Sequence, residues 1–376
     1  MTSGKITSIF SLFQDKKIVQ EQNPENLLSL LALIDSREDI PNNVLELFSS
    51  CFGEEVYELF DERRQLDTKS YAKINITLSN SELSADFLKK LSKQSFLHRL
   101  SPKALLNAAG QLSEIDGKTT LRFLAAASES MKSPMHLSKG LALLRKLKSQ
   151  EQTMNDLSAT KVVVIGNSTL KPLTDFLPLS LLRQNINAEV WEAPFDQWAS
   201  LMLDERSELY RFQASFIVFY LSTLGLTQAG TKIQQDLLPL VQNSLERLTT
   251  CSPARIIMVL PELLEEEKHS SSRFVNWRLD FVSKLRENYG SQVIYLDTVP
   301  LMIQVGWENW FASRYWYHSK LPCHPSSLFA LGREVGLTIS HCILLPVKVV
   351  ICDFDNTLWG GIVGEDGWQN LKLDVY

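Results

Sequence analysis

Basic stretches are the first thing this chain lacks. Across 376 residues, 38 Lys and Arg stand against 43 Asp and Glu, for a net charge of −5. Nowhere do the cations gather into the stripe that tracks a phosphate backbone, so nucleic acid is not an expected partner. Cysteines are few: Cys51, Cys251, Cys323, Cys342 and Cys352 are odd in number and form no Cys-x-x-Cys pair. That pattern signals neither a disulfide framework nor a zinc site, and it suits the reducing cytoplasm, the expected location. Long apolar runs are missing too. The longest, residues 216–226, is interrupted by Ser222 and Thr223 and is well short of the ~20 residues a membrane helix needs. Residues 1–17 hold no apolar core and no small-residue cleavage pattern, so no signal peptide and no membrane association are expected.

What is there is ample apolar material, 44% of the chain, enough for two or three domains at ~100–200 residues each. From Pro24 to about Gln152 apolar residues recur at spacings of three and four, in runs opened by Pro24, Pro41, Pro102 and Pro134 and separated by Ser, Pro and Gly. The spacing predicts a helical module over residues 1–155. Within it, residues 73–78 (Lys-Ile-Asn-Ile-Thr-Leu) alternate and read as a short strand. His98 and His136 have no second ligand at metal spacing and read as ordinary surface or core residues.

Near Lys161 the period changes. Short β-rich runs at 161–165, 188–192, 216–220, 255–260 and 292–296 alternate with helical patterns. That alternation predicts βαβ units: a three-layer α/β domain over residues 156–346, its parallel sheet covered on both faces and its binding site at the carboxyl ends of the strands. The first strand ends in Gly166-Asn167-Ser168-Thr169-Leu170. This block resembles the Gly-Asp-Ser motif of the SGNH hydrolases, with Asn167 in place of Asp. By that resemblance Ser168 is the candidate nucleophile, with His324 or His318 as its base. The remaining blocks depart from the pattern. Leu221-Ser222-Thr223-Leu224-Gly225 lacks the oxyanion-hole Asn, Ala193-Pro194-Phe195-Asp196 lacks the Gly, and Leu321 stands where the Asp of Asp-x-x-His belongs. The bland alternative is a tight strand-to-helix turn, which favours Gly, Asn, Ser and Thr on local grounds. Residues 307–317 are dense in aromatics and read mainly as packing. Arg314, His318 and Lys320 beside them are candidates to meet an anion.

The chemistry best announced lies near the end, in Val349-Val350-Ile351-Cys352-Asp353-Phe354-Asp355-Asn356-Thr357-Leu358-Trp359-Gly360-Gly361. A buried strand delivers two aspartates, one residue apart, to a glycine-rich turn. Carboxylates that close repel each other unless a cation sits between them, and Mg²⁺ prefers one or two carboxylates with water and phosphate oxygens. Asp-x-Asp-x-Thr after a hydrophobic strand resembles the first motif of the haloacid dehalogenase (HAD) superfamily. The extension through Gly367 is similar to its FkbH-like branch, whose members carry a degenerate SGNH-like domain ahead of the HAD domain. The resemblance implies Asp353 as phosphoryl-accepting nucleophile and Mg²⁺ ligand, Asp355 as general acid/base at the metal site, and Thr357, Gly360 and Gly361 as the phosphate loop. It further implies a phosphorylated three-carbon acyl donor as substrate and glyceryl loading onto an acyl carrier protein in polyketide-type biosynthesis. Cys352 could be the acceptor thiol by adjacency, yet alternation turns it away from Asp353, and it reads as a buried structural cysteine.

Residues 347–376 are thus expected to be only the start of a HAD domain. A single parallel strand with no partner and a metal site short of ligands predict weak Mg²⁺ binding and no phosphatase turnover from residues 1–376 alone. Two other readings stay open: a non-catalytic module that binds a carrier protein, and an SGNH-type esterase using Ser168 and His324.

Overall fold

The computed structural model describes residues 68–80, 82–150, 154–228, 231–263, 273–290 and 292–344, together with 352, 359 and 363–370. The helical runs expected behind Pro24 and Pro41 lie outside them. The chain divides into two compact units, Met1–Leu337 and Thr338–Tyr376.

Among the described residues, the first unit opens with the helices α1 (Thr68–Asn80), α2 (Ala85–Leu91), α3 (Pro102–Leu112), α4 (Gly117–Ser130) and α5 (Pro134–Lys148). Their starts are written in the sequence. Ser84 Oγ accepts from the Phe87 N–H at 3.3 Å, Ser101 Oγ from the Ala104 N–H at 3.3 Å ahead of Pro102, and Asp116 Oδ1 from the Thr119 N–H at 3.0 Å. Each satisfies one of the donors a helix N-terminus leaves open.

The strand expected at residues 73–78 is instead the middle of α1. Alternation and β-branching there are overridden because Ile74 through Leu78 are all buried, so both periods carry apolar residues. Ile74 and Leu78, one helical turn apart, join the core. The polar Asn75 between them accepts the Ser101 N–H at 2.8 Å.

Beyond residue 154 come β1 (Ser158–Gly166), α6 (Lys171–Leu182), β2 (Ile186–Glu192), α7 (Trp198–Leu203), α8 (Glu208–Arg211), β3 (Phe216–Tyr220), α9 (Thr223–Gln228), α10 (Thr231–Cys251), β4 (Arg255–Val259), α11 (Arg273–Tyr289) and β5 (Val293–Leu296). Then follow α12 (Val299–Val305), α13 (Trp307–Trp310), α14 (Ser313–Ser319) and α15 (Pro325–Ile343). All five strands pair in parallel in the order β2-β1-β3-β4-β5. This is the expected α/β fold with a five-stranded parallel sheet, and each strand falls where the short β-rich runs put it. The strand order reverses between β1 and β3, which makes the crevice beyond their carboxyl ends the favoured place for a site.

The helical layer and the sheet layer share one core. Phe176, Leu179 and Leu182 of α6 and Phe329 of α15 belong to the same buried cluster as Leu105, Phe123 and Leu124. Phe176 and Phe329 stack with ring centroids 5.1 Å apart. The two helices approach closely because α15 carries glycine at the contact: a Cβ on Gly332 would come within 2.6 Å of Phe176 Cδ1, and one on Gly336 within 2.6 Å of Ser180 Oγ.

In the second unit, the described residues after α15 form a short helix, α16 (Val363–Asp366), and a 3₁₀ turn, Trp368–Asn370. Cys352 is exposed, which corrects its reading as a buried residue. Alternation along a strand buries every second side chain only where a sheet face is covered.

Phe329→Ala should cost about 3–5 kcal/mol by removing a fully buried ring from the shared core. In chemical denaturation the helical and sheet layers should still unfold in one transition. Two separated transitions in the wild type would contradict the single core.

Candidate functional site

At the reversal point the carboxyl ends of β1, β3 and β4 bring together a buried polar cluster. Gly166 pairs with Tyr220, and a Cβ on it would sit 2.0 Å from the Tyr220 carbonyl oxygen, so only glycine allows this approach. The next residue closes the pairing. Asn167 Nδ2 donates to the Ser222 carbonyl at 3.0 Å, and Asn167 Oδ1 accepts the Ser222 N–H at 2.7 Å. Gly225 leaves room for that carboxamide, since a Cβ there would lie 2.4 Å from Asn167 Nδ2. Asn167 therefore spends both polar atoms on the main chain of the loop after β3.

Ser168 is 4% exposed, and its Oγ has no hydrogen-bond partner. The backbone that follows it is tied down. The Thr169 N–H donates to the Lys320 carbonyl at 2.9 Å, and the Leu170 N–H to Glu192 Oε1 at 3.1 Å.

Neither histidine bonds this hydroxyl. His318 is exposed on α14. His324 caps α15: its Nδ1 accepts the Ser326 N–H at 3.1 Å and lies 2.7 Å from Ser326 Oγ, while its carbonyl accepts the Ser327 N–H at 2.9 Å. Nδ1 is the nitrogen that an orienting carboxylate would engage in a triad, and here the helix start engages it. Burial, with Arg314 nearby, lowers the His324 pKa below the usual histidine value. The structure thus keeps Ser168 and His324 out of hydrogen-bond contact with each other.

The carboxyl group of the cluster is one the sequence did not announce. Glu262, directly after β4 and Pro261, is fully buried. Its Oε1 takes the Tyr220 hydroxyl, its Oε2 accepts the Thr223 N–H at 2.7 Å, and its own carbonyl accepts Thr223 Oγ1 at 2.5 Å. Burial raises the Glu262 pKa against the pull of those donors; burial and then Glu262 raise that of Tyr220 well above its usual value. The Cys323 thiol, 1% exposed, is likewise pushed well up by burial and then by Glu262, so it is held as an unreactive thiol. A carboxylic acid after a buried strand is the only sequence signal this network gives.

The aromatic segment divides between core and surface. Trp310 and Trp316 are buried, whereas Tyr317 is 73% exposed. Arg314 stacks on Tyr315 with its guanidinium carbon 4.8 Å from the ring centroid, and Lys320 lies 5.2 Å from that of Trp316.

Asp353, Asp355, Thr357, Gly360 and Gly361 lie outside the described residues. Among the described residues no three His, Cys, Asp or Glu side chains gather as a metal group, and no helix is long and apolar enough to cross a membrane. The donor chemistry of two aspartates one residue apart fits a hard divalent cation.

Two comparisons bear on this architecture. Residues 161–259 match the family described as FkbH, N-terminal domain. In fold the chain is similar to the crystal structure of the N-terminal part of the protein BF1531 from Bacteroides fragilis, containing a phosphatase domain complexed with Mg. The TM-score is 0.51 at 21% identity, over 60% of this chain and 63% of that one. This chain thus spans less than two thirds of that neighbour. No curated protein matches it.

Ser168→Ala should leave stability unchanged or raise it slightly, because it deletes a buried hydroxyl with no partner. Asn167→Ala should cost roughly 2–4 kcal/mol by orphaning two buried main-chain groups of Ser222. Urea titration of the two variants reads the contrast, and a larger loss in Ser168→Ala would refute the assignment.

His324 supplies a pH test. The unfolded chain takes up a proton near the usual histidine value while the folded ring resists it. The stability at stake is therefore present above that value and lost as pH falls through the lowered folded one. His324→Asn keeps a capping side chain without the titration, so its stability should fall less than the wild type's between pH 7 and pH 5.

Proposed function

We propose, from the premise that residues 161–259 form an FkbH N-terminal domain, that this chain serves Mg²⁺-dependent HAD phosphoryl chemistry and that its α/β domain is a recognition platform without hydrolytic activity. The observation that carries the second half is Asn167. Its carboxamide is bound at both ends to Ser222 while Ser168 Oγ is left buried and without a base. A serine becomes a nucleophile at neutral pH only when a base takes its proton, and the oxyanion needs donors already in place. The first requirement is not met: Ser168 Oγ has no hydrogen-bond partner, and His324 Nδ1 is held by Ser326.

The phosphoryl chemistry is assigned to Asp353-Phe354-Asp355-Asn356-Thr357, with support from the likeness in fold to a protein whose phosphatase domain is complexed with Mg. Asp353 attacks phosphorus and forms an aspartyl phosphate as the bond to the leaving oxygen breaks. Asp355 protonates that oxygen and then deprotonates the water that releases phosphate. Thr357, Gly360 and Gly361 hold the loop around the phosphoryl group. Mg²⁺, when bound at Asp353 and Asp355, neutralises the charge of the phosphoryl oxygens. The substrate we assign is a doubly phosphorylated three-carbon acyl donor. The thiol of an acyl carrier protein docked on the α/β domain attacks its acyl carbon, and a thioester forms as the bond to the carboxyl phosphate breaks. The remaining phosphate ester is the one Asp353 removes.

The test is turnover of a phosphate monoester by the natural gene product carrying this sequence, with and without Mg²⁺. Asp353→Asn should lower kcat by about a thousandfold or more with an unchanged circular dichroism spectrum, whereas Ser168→Ala should leave turnover intact. Turnover that survives Asp353→Asn would overturn the assignment. So would ester hydrolysis that depends on Ser168, which would instead favour the esterase reading.

A further inference from the structure

A cavity of about 630 Å³, with His324 and Ser326 at its edge, lies between the helical layer and the sheet domain. That volume is in the range of small-molecule sites. The ends of α4 and α6, the α12–α13 turn and the first half of α15 form its walls. Ser168 does not line it.

Arg333 is the informative residue. This half-buried guanidinium lies with its carbon 5.6 Å from the Phe176 ring centroid. One nitrogen, Nη1, donates to the Ser128 and Met131 carbonyls at 3.4 and 3.3 Å, both long. Nε and Nη2 make no hydrogen bond to a described residue. Burial lowers its pKa, as expected for a cation short of water. A guanidinium has five N–H donors in a fixed fork, and those on Nε and Nη2 are available to an oxyanion entering the cavity.

Lys132 lines the same cavity and forms no ion pair with a described residue, while Arg183 is engaged by Glu129 at 3.0 Å. Glu308 and Glu334 also contribute to the wall. Cations and carboxylates therefore balance, which disfavours a polyanion. Gln184 and Gln304 add neutral donors and acceptors.

We infer that this cavity binds a small polar molecule carrying a single oxyanion group, phosphate or carboxylate, gripped by the fork of Arg333 and by Lys132. The match of a planar fork to two oxygens makes Arg333 the specificity element and Lys132 a point charge. The inference goes beyond the phosphoryl chemistry proposed for Asp353 and does not depend on it.

Isothermal titration of the 1–376 chain tests it, at fixed ionic strength and with EDTA present so that no metal-dependent phosphate site contributes. The titrants are inorganic phosphate, glycerol 3-phosphate, acetate and pyrophosphate. Phosphate and glycerol 3-phosphate, or acetate, should bind saturably, and the stronger arm identifies the oxyanion; pyrophosphate should bind no tighter than phosphate. Arg333→Gln should weaken binding at least about tenfold and Lys132→Gln about threefold. Lys132 is exposed, so its variant should keep the wild-type melting temperature. If Arg333→Gln fails to fold, Arg333→Lys, which keeps the charge and loses the fork, should weaken binding while retaining the fold.

Absence of saturation up to about 10 mM, or wild-type affinity in both Lys132→Gln and the folded Arg333 variant, would overturn the inference. Loss of turnover in Asp353→Asn reports on the phosphoryl site alone, so failure of one reading is distinguishable from failure of the other.

Discussion

The parallel pairing of β1 with β3 is the contact on which the rest of the α/β domain depends. The strand order turns around at that seam, with β2 added outside β1 and β4 then β5 outside β3. Two small choices hold it closed at its carboxyl end. Gly166 lets the backbones approach where any side chain would strike the Tyr220 carbonyl, and Asn167 then takes both main-chain groups of Ser222. A parallel sheet commonly leaves such a seam open for a ligand. Here it is filled by the protein's own carboxamide, with the Glu262 carboxyl group beside it binding Tyr220 and Thr223.

The same economy governs the junction between layers. Glycines at 332 and 336 let α15 settle against Phe176 and Ser180, and the aromatic stack of Phe176 with Phe329 then ties the helical residues to the sheet domain. Close contact in one place leaves space in another. The cavity holding Arg333 and Lys132 opens along the same junction, where polar and charged side chains replace the apolar ones of the core.

The α/β class and all five strands were legible in the sequence because each strand is a short β-branched run bounded by helical periods, and buried parallel strands leave that mark. Residues 73–78 misled because Ile74, Ile76 and Leu78 satisfy a period of two while Ile74 and Leu78 also satisfy the helical one; only the packing of α1 against its neighbours decides. The motif at Gly166-Asn167-Ser168 follows the first strand, as read, and the strand order places it at the reversal point. What it could not convey was the state of the groups there, since whether a serine has a base depends on partners 150 residues away. Glu262 and Arg333 were not anticipated for the same reason. A single Glu after a strand and a single Arg in an amphipathic helix acquire meaning only from burial and from the groups they face.

Cys323 gives the carboxyl-end cluster a built-in clock. Its thiol is sealed at 1% exposure beside Glu262, whereas Cys251 and Cys352 are exposed. A thiol reagent would label the exposed pair at once and reach Cys323 only when the loops around Glu262 part. In the limit of fast reclosing, the slow labelling rate measures how often that region opens in the native state, one free energy for a single corner of the fold rather than for the whole. Ligands, pH and substitutions acting on that corner can then be ranked without unfolding the protein.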